Sequence, residues 1–369
     1  MSTASTRHTT AYLKGAAIIV VMIGHYSSYY AVDFYTDWFR EYASEIVSIF
    51  FVLAGYGALH SFSNLEEQKG EAGLDITMIL RYYGKKALRI YPLYWTALFT
   101  VAFILPEYGR LHELSLHTVA TYLAYPGVKA PGVYWFIPAL IQCYLLAPMF
   151  YILIRRLRLR HYLMAVAMML AMAMVVTNSY HRLLEMVNGF GIPDPDALLY
   201  RPLFLANVIL FALGMAIPLL VAGHQSKKGG YFTFAGALTL FLAMMLAVRD
   251  ADTIFTRSHF FLFPLFIFSV FALCWSLLRI ADPVLPLLRL VGPLGNRSYP
   301  IYLFHRQYFG LLAMAGAIGG NSLKSIALTI LLLPLFFIAC ALMEDGFNRA
   351  GTRMTRRWLF PGKAPAALP

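Results

Sequence analysis

Charged residues are scarce in this sequence. Asp, Glu, Lys and Arg together make up 13% of its 369 residues, whereas 60% of the residues are hydrophobic. A soluble globular protein is about a quarter charged and about half apolar, so the composition excludes an ordinary soluble enzyme. Long uncharged runs, many of them close to the ~20 residues that a helix needs to cross a bilayer, indicate a polytopic membrane protein instead.

Cysteine patterns, internal repeats and soluble domains are also missing. The three cysteines, Cys143, Cys274 and Cys340, each lie inside an apolar run, at spacings that match no metal site and no disulfide framework. We therefore predict no metal. The lack of an internal repeat argues against a transporter built from inverted halves. The longest outer connections, 107–133 and 179–201, are too short to form a domain of their own.

Apolar runs predict an all-α, polytopic transmembrane bundle of about ten spans. The spans are 11–30, 42–63, 90–106, 134–154, 161–178, 202–222, 231–248, 258–278, 298–317 and 325–343. With the N-terminus in the cytoplasm, the inner segments hold 21 of the 30 Lys and Arg residues, and the outer loops hold eight. Cytoplasmic loops are enriched in these residues, so both termini are predicted to be cytoplasmic. The same topology accounts for the net charge of +12 without a nucleic-acid partner.

Two regions follow from this topology. Residues 1–350 form the membrane domain, and residues 351–369 form a basic, then Pro/Ala-rich cytoplasmic tail. Membrane lipids are therefore the first predicted partners of the chain.

The first span carries two ionisable side chains, Lys14 near its start and His25 deep inside it. Eleven residues of α-helix make three turns plus about 20° and rise about 16 Å, so both side chains lie on one face. Ionisable groups inside a membrane need an explanation. One interpretation is a neutral His25 that is hydrogen-bonded between helices. The other is a proton-handling base in line with a cation that binds an anionic substrate.

Three cations, Lys85, Lys86 and Arg89, stand at the inner mouth of the third span. They end a segment, 74–89, whose apolar and basic residues predict a separate helix on the inner leaflet. Positive-inside anchoring is sufficient to explain them. Three cations within five residues, near the level of Lys14, would also bind phosphates, with arginine as a fork and lysine as a point charge.

Other candidate residues lie at the ends of spans. In the ninth span Ser298, Tyr302 and His305 share a helix face, because they are separated by four and three residues. Trp135 belongs to an aromatic group at the outer interface, which indicates either a membrane belt or a platform for a sugar or an acyl chain. Asp33, in the first outer loop, is either a solvated carboxylate or a contact for a hydroxylated acceptor.

Five motifs, taken in order, resemble the integral-membrane acyltransferase-3 family, known for O-acylating bacterial surface glycans. They are Lys14 and His25 with ten residues between them, Phe50-Phe-Val-Leu-Ala-Gly55, Lys86-Ala-Leu-Arg89-Ile-Tyr-Pro92, Trp135-Phe-Ile-Pro-Ala-Leu140 with Tyr144, and Ser298-Tyr-Pro-Ile-Tyr-Leu-Phe-His305. The chain departs from the family pattern at Lys14 and Lys86, where arginine is commoner, and at Ala54, where serine is. The lysines keep the charge but lose the planar fork.

The resemblance implies a reaction that crosses the membrane. Acyl-CoA, with acetyl the expected acyl group, would bind at the inner face through Lys14, Lys85, Lys86 and Arg89. Its pantetheine arm would run along the first helix to His25. There His25 would either deprotonate the acceptor hydroxyl or carry the acyl group covalently. The resemblance also implies a multi-pass protein of the bacterial cytoplasmic (inner) membrane.

The remaining candidates are assigned around that chemistry. His305 and Tyr302 would position or polarise the reacting groups, and Trp135, Ser298 and Asp33 would contact the acceptor. That acceptor would be a surface glycan or a lipid-linked sugar. A multi-span transporter of an organic anion is the alternative, since it could use the same cations. The five ordered motifs and the missing repeat favour the enzyme.

Overall fold

The computed structural model describes residues 3–29, 46–69, 74–105, 113, 115–124, 132–178, 204–222, 227–247, 263–280, 286–316 and 323–358. Within these ranges the regular structure is entirely helical. The α-helices are α1 Thr3–Tyr29, α2 Ile49–Lys69, α3 Ile76–Ile104, α4 Leu116–Tyr122, α5 Phe136–Arg156, α6 Leu159–Asn178, α7 Phe204–Ala222, α8 Lys227–Ala247, α9 Phe263–Ile280, α10 Pro286–Asn296, α11 Ser298–Met314 and α12 Leu323–Trp358. Short 3-10 helices, Ile46–Ser48 and Gly132–Trp135, precede α2 and α5.

Each of the ten predicted spans overlaps one of the long helices. Four segments of the described chain are long and apolar enough to cross a membrane: Ile46–Gln68, Ile76–Ile104, Phe136–Arg156 and Leu323–Gly351. Four shorter helical stretches are also apolar. The all-α architecture is therefore confirmed. The number of crossings and the side on which the termini lie stay predictions.

Helix α3 differs from the prediction at its start. Asp75 caps the helix by accepting a hydrogen bond from the Met78 N–H at 2.6 Å, and the helix then continues without a break through Pro92 to Ile104. The segment 74–89 is thus the first part of α3 and not a separate surface helix. A proline is tolerated inside a membrane helix because neighbouring groups satisfy the freed backbone. As a result, the cations before Pro92 stand on one continuous element.

Helices α2 and α7 meet backbone to backbone. A Cβ atom at Gly55 would overlap the carbonyl oxygen of Phe211, and a Cβ atom at Gly214 would overlap that of Val52. Such close approach needs residues without side chains. Gly55 in the second motif is therefore a packing residue, whereas its neighbour Ala54 faces a cavity.

Helix α11 is buried along most of its length and packs against α1, α3 and α12. Its start is tied to α12 by Arg297, which is 2.6 Å from Asp345 and 3.2 Å from Glu344. Helix α12 continues to Trp358, beyond the predicted end of the membrane domain at residue 350. The remainder of the predicted tail, 359–369, lies outside the described residues.

Candidate functional site

Five helices, α1, α2, α3, α5 and α11, enclose a cavity of about 170 Å³. Three of the cations singled out from the sequence, Lys14, Lys86 and Arg89, line it together. Arg89 is exposed, so the cavity is open on its side. Lys85 is not part of the lining: it is exposed on α3 and lies near Arg81.

Two tyrosine rings hold the ammonium group of Lys86. Its Nζ atom lies 4.6 Å from the centre of the Tyr144 ring and 5.2 Å from the centre of the Tyr82 ring. The Tyr82 ring is itself stacked on Phe62 at 4.3 Å. A cation within about 6 Å of a ring face is attracted by the ring quadrupole. The rings therefore fix the position of a charge that a flexible lysine would otherwise leave mobile.

The carboxylate of Glu344 lies near Lys14. The side chain of Glu344 is 8% exposed and pairs with Arg297, and Lys14 experiences the fields of both Arg89 and Glu344. The hydrogen bond to Asp345 is the main factor that raises the pKa of Arg297 above its ordinary value. Arg297 therefore keeps its positive charge at physiological pH.

The cavity extends along α2 from Ser61 to Phe50, both of which line it. Eleven residues of helix correspond to about 16 Å. At the Ser61 end, stacking of Phe62 on Tyr82 brings α2 beside the α3 turn that carries Lys86. The lysine end and the Phe50 end are thus opposite ends of one elongated space.

Aromatic rings close the Phe50 end. Phe50 lies 6.1 Å from Phe136, which lies 5.3 Å from Tyr302, all measured between ring centres. Behind Tyr302 come two histidines: the His305 ring is 5.9 Å from the Tyr302 ring and 5.0 Å from the His25 ring. The structure therefore brings the three predicted catalytic side chains together, next to the end of the cavity that is remote from Lys86.

His305 has a defined tautomer. Its side chain is fully buried, and its Nδ1 lies 2.6 Å from the carbonyl oxygen of Tyr302. Because a carbonyl can only accept, Nδ1 carries a hydrogen, and in the neutral ring Nε2 then carries the lone pair. Nε2 has no hydrogen-bond partner among the described residues. His305 thus presents a buried, unshared acceptor beside His25.

The residues assigned to the acceptor lie in three different places. Ser298 lines the same cavity as the cations and Tyr302. Trp135 lies outside the cavity, 6.4 Å from Phe51 between ring centres. Asp33 lies outside the described residues.

Three contributors to the site were not predicted from the sequence. Tyr82 shares a helix face with Lys86, four residues away, a spacing that signals contact. Glu344 is an ionisable residue at the end of an apolar run, which is a signal in its own right. Gly57 carries no such signal, because its importance depends on the space that it faces.

One family of known proteins matches a stretch of this chain that contains the whole site. The model of the acyltransferase-3 family, described as an acyltransferase domain, matches residues 11–345. The chain belongs to the acyltransferase-3 family. The resemblance read from the five motifs is thereby confirmed, and with it a membrane protein whose family carries out acyl transfer. This stretch runs from α1 into α12 and contains every residue of the cavity and both histidines. No curated protein and no solved structure matches this acyltransferase.

Proposed function

We propose that this chain is an acyl-CoA-dependent membrane O-acyltransferase. It would move an acyl group, with acetyl the expected one, from cytoplasmic acyl-CoA to a sugar hydroxyl on the outer side of the bacterial inner membrane. The observation that carries the proposal is one elongated cavity with three cations at one end and aromatic rings at the other. One of these rings, Tyr302, lies beside His305, which in turn lies beside His25. The acceptor would be a surface glycan or a lipid-linked saccharide.

The cationic end fits a phosphorylated donor. Lys14, Lys86 and Arg89 bring three positive charges into one cavity, and charge-assisted bonds to phosphate are strong. A volume of about 170 Å³ is below the ~300–1,000 Å³ of sites that enclose a drug-sized ligand. Only part of CoA would therefore enter, while the exposed Lys85 and the half-buried Arg81 beside it would contact the phosphates that remain outside.

The aromatic end fits the thioester. A pantetheine arm that follows the cavity for about 16 Å would bring the acyl carbonyl to Phe136 and Tyr302, next to His305 and His25. These side chains are largely buried, which would keep water from hydrolysing the thioester.

The histidines divide the chemical work. His25 would remove the proton of the acceptor hydroxyl as that oxygen attacks the acyl carbonyl carbon. The carbon–sulfur bond would then break, and the CoA thiolate would leave and take up the proton that His25 holds. His305, held by the Tyr302 carbonyl, would position His25 through its free Nε2. In the alternative mechanism His25 carries the acyl group between the two substrates.

The acceptor would approach from the outer side. Trp135 would contact it, since the 3-10 helix Gly132–Trp135 directly precedes Phe136, at the aromatic end of the cavity. Asp33 keeps its predicted role from the sequence alone. Ser298 is better explained as a donor contact, because it lies with the cations.

Turnover by purified protein in detergent tests the proposal. The protein would be given radiolabelled acetyl-CoA and saccharides extracted from a strain that lacks the gene, and both CoA release and labelled saccharide would be measured. His25→Ala should reduce the rate at least ~100-fold, the lower range for loss of a general base. His8→Ala is the matched control, because His8 is exposed on the same helix outside the cavity.

Two results would contradict the proposal. Equal rates for wild type and His25→Ala would exclude the assigned role of this histidine. Uptake of an organic anion into vesicles by a wild-type protein that releases no CoA would favour the transporter.

A further inference from the structure

One wall of the cavity is built from small side chains. Ala54, Gly57 and Ser61 all face the cavity from α2. A Cβ atom added at Gly57 would meet no other atom within 4 Å. The Ser61 hydroxyl donates back to the Gly57 carbonyl at 2.8 Å, so this side chain lies along its helix and not across the cavity. These three positions leave a narrow slot open between α2 and the facing helices.

The rings at the Phe50 end limit the length of the slot. Phe50, Phe136 and Tyr302 form a continuous series of ring contacts at 6.1 and 5.3 Å. Phe136 is 5% exposed and Tyr302 is 4% exposed. Close-packed rings of this kind have little room to yield to a longer ligand.

We propose that the cavity is a size filter for the acyl donor. Gly57 lets the narrow pantetheine arm of the thioester pass, and the ring cluster of Phe50, Phe136 and Tyr302 restricts the acyl group to a short chain such as acetyl. The inference rests on the proposed function, because it assumes that the cavity receives an acyl thioester. It adds two specificity-determining positions, Gly57 and Phe50, and a physical reason for a short acyl chain.

The size of the effect follows from the packing. A pocket that must accommodate one methylene too many discriminates by about 10- to 200-fold. Butyryl-CoA carries two methylenes more than acetyl-CoA, so wild type should use it at least ~10-fold less efficiently, measured as kcat/KM. Octanoyl-CoA should give no transfer.

The experiment compares acetyl-, butyryl- and octanoyl-CoA with wild type and three variants. Phe50→Ala removes the most accessible ring of the cluster and should raise the ratio of butyryl to acetyl transfer at least ~10-fold. Gly57→Val places three carbons in the slot and should abolish CoA binding and transfer of every acyl group. Gly236→Val is the matched control, because Gly236 also has no atom within 4 Å of an added Cβ but does not line the cavity.

The outcomes separate the inference from the proposed function. Equal use of acetyl- and octanoyl-CoA by wild type would overturn the size filter and leave an acyltransferase. An unchanged acetyl rate in Gly57→Val would likewise overturn it. No transfer from any of the three donors by wild type would overturn the proposed function, and the filter with it. A folded state for Gly57→Val would be checked by gel filtration, and Phe50→Ala tests the filter independently.

Discussion

The contacts between Lys86 and its two tyrosine rings lead to a prediction about CoA binding whose magnitude can be calculated. Tyr144→Leu removes the nearer ring, 4.6 Å from the Lys86 Nζ, and leaves the Tyr82 ring at 5.2 Å. Cation–π contacts are worth about 0.5–1 kcal/mol when exposed and about 2 kcal/mol when desolvated. Lys86 is half-buried, so we expect a loss of about 1–2 kcal/mol. That corresponds to a Kd for CoA that is about 5- to 30-fold weaker.

Tyr144→Phe is the matched control for this prediction, because it keeps the ring and removes only the hydroxyl. It should bind CoA within about twofold of wild type, since the π-face that attracts the cation is retained. Isothermal titration with CoA in detergent would measure binding without turnover. If Tyr144→Phe and Tyr144→Leu weakened CoA binding equally, the loss of the hydroxyl would explain the effect. If neither variant weakened CoA binding, the Tyr144 ring would not position Lys86 for the ligand, and the reasoning would be refuted.

Two further predictions concern stability. Gly55→Ala should destabilise the protein by about 1–3 kcal/mol, the usual range for overpacking, because its Cβ would overlap the backbone of Phe211. Gly57→Ala should not destabilise the protein, because its Cβ would meet open space. Thermal denaturation of the two variants would measure the difference in stability. Arg297→Gln should destabilise by about 1–3 kcal/mol, because it leaves the Glu344 carboxylate without its partner. Adding Glu344→Gln should restore part of the loss, and full additivity in a double-mutant cycle would contradict the pairing.

Helix positions could be predicted because apolar run length and charge are properties of the sequence alone. The start of α3 could not. Its basic, partly apolar first turns resemble a surface helix, and Pro92 marks a natural place for a break. Only the packing around the backbone near Pro92, together with the Asp75 cap, makes one continuous helix out of the two predicted pieces.

The site was predictable along a helix but not between helices. Tyr302 and His305 share a face because of their spacing, and the structure shows their rings 5.9 Å apart. The 5.0 Å contact between His25 and His305 depends on how α1 and α11 approach each other. No spacing within one helix encodes that distance.

The cations themselves point to an anionic ligand. Lys14, Lys86 and Arg89 face one small cavity and repel one another, and like charges gathered at a partly buried site oppose folding. Glu344 offsets one of the three charges from behind Lys14. Among the described residues, the lining of the cavity contains no carboxylate that could offset the others. Rings can attract Lys86 but cannot neutralise it. An incoming anion would therefore relieve this repulsion, and this gain supports the proposal that the cationic end binds the phosphates of the donor.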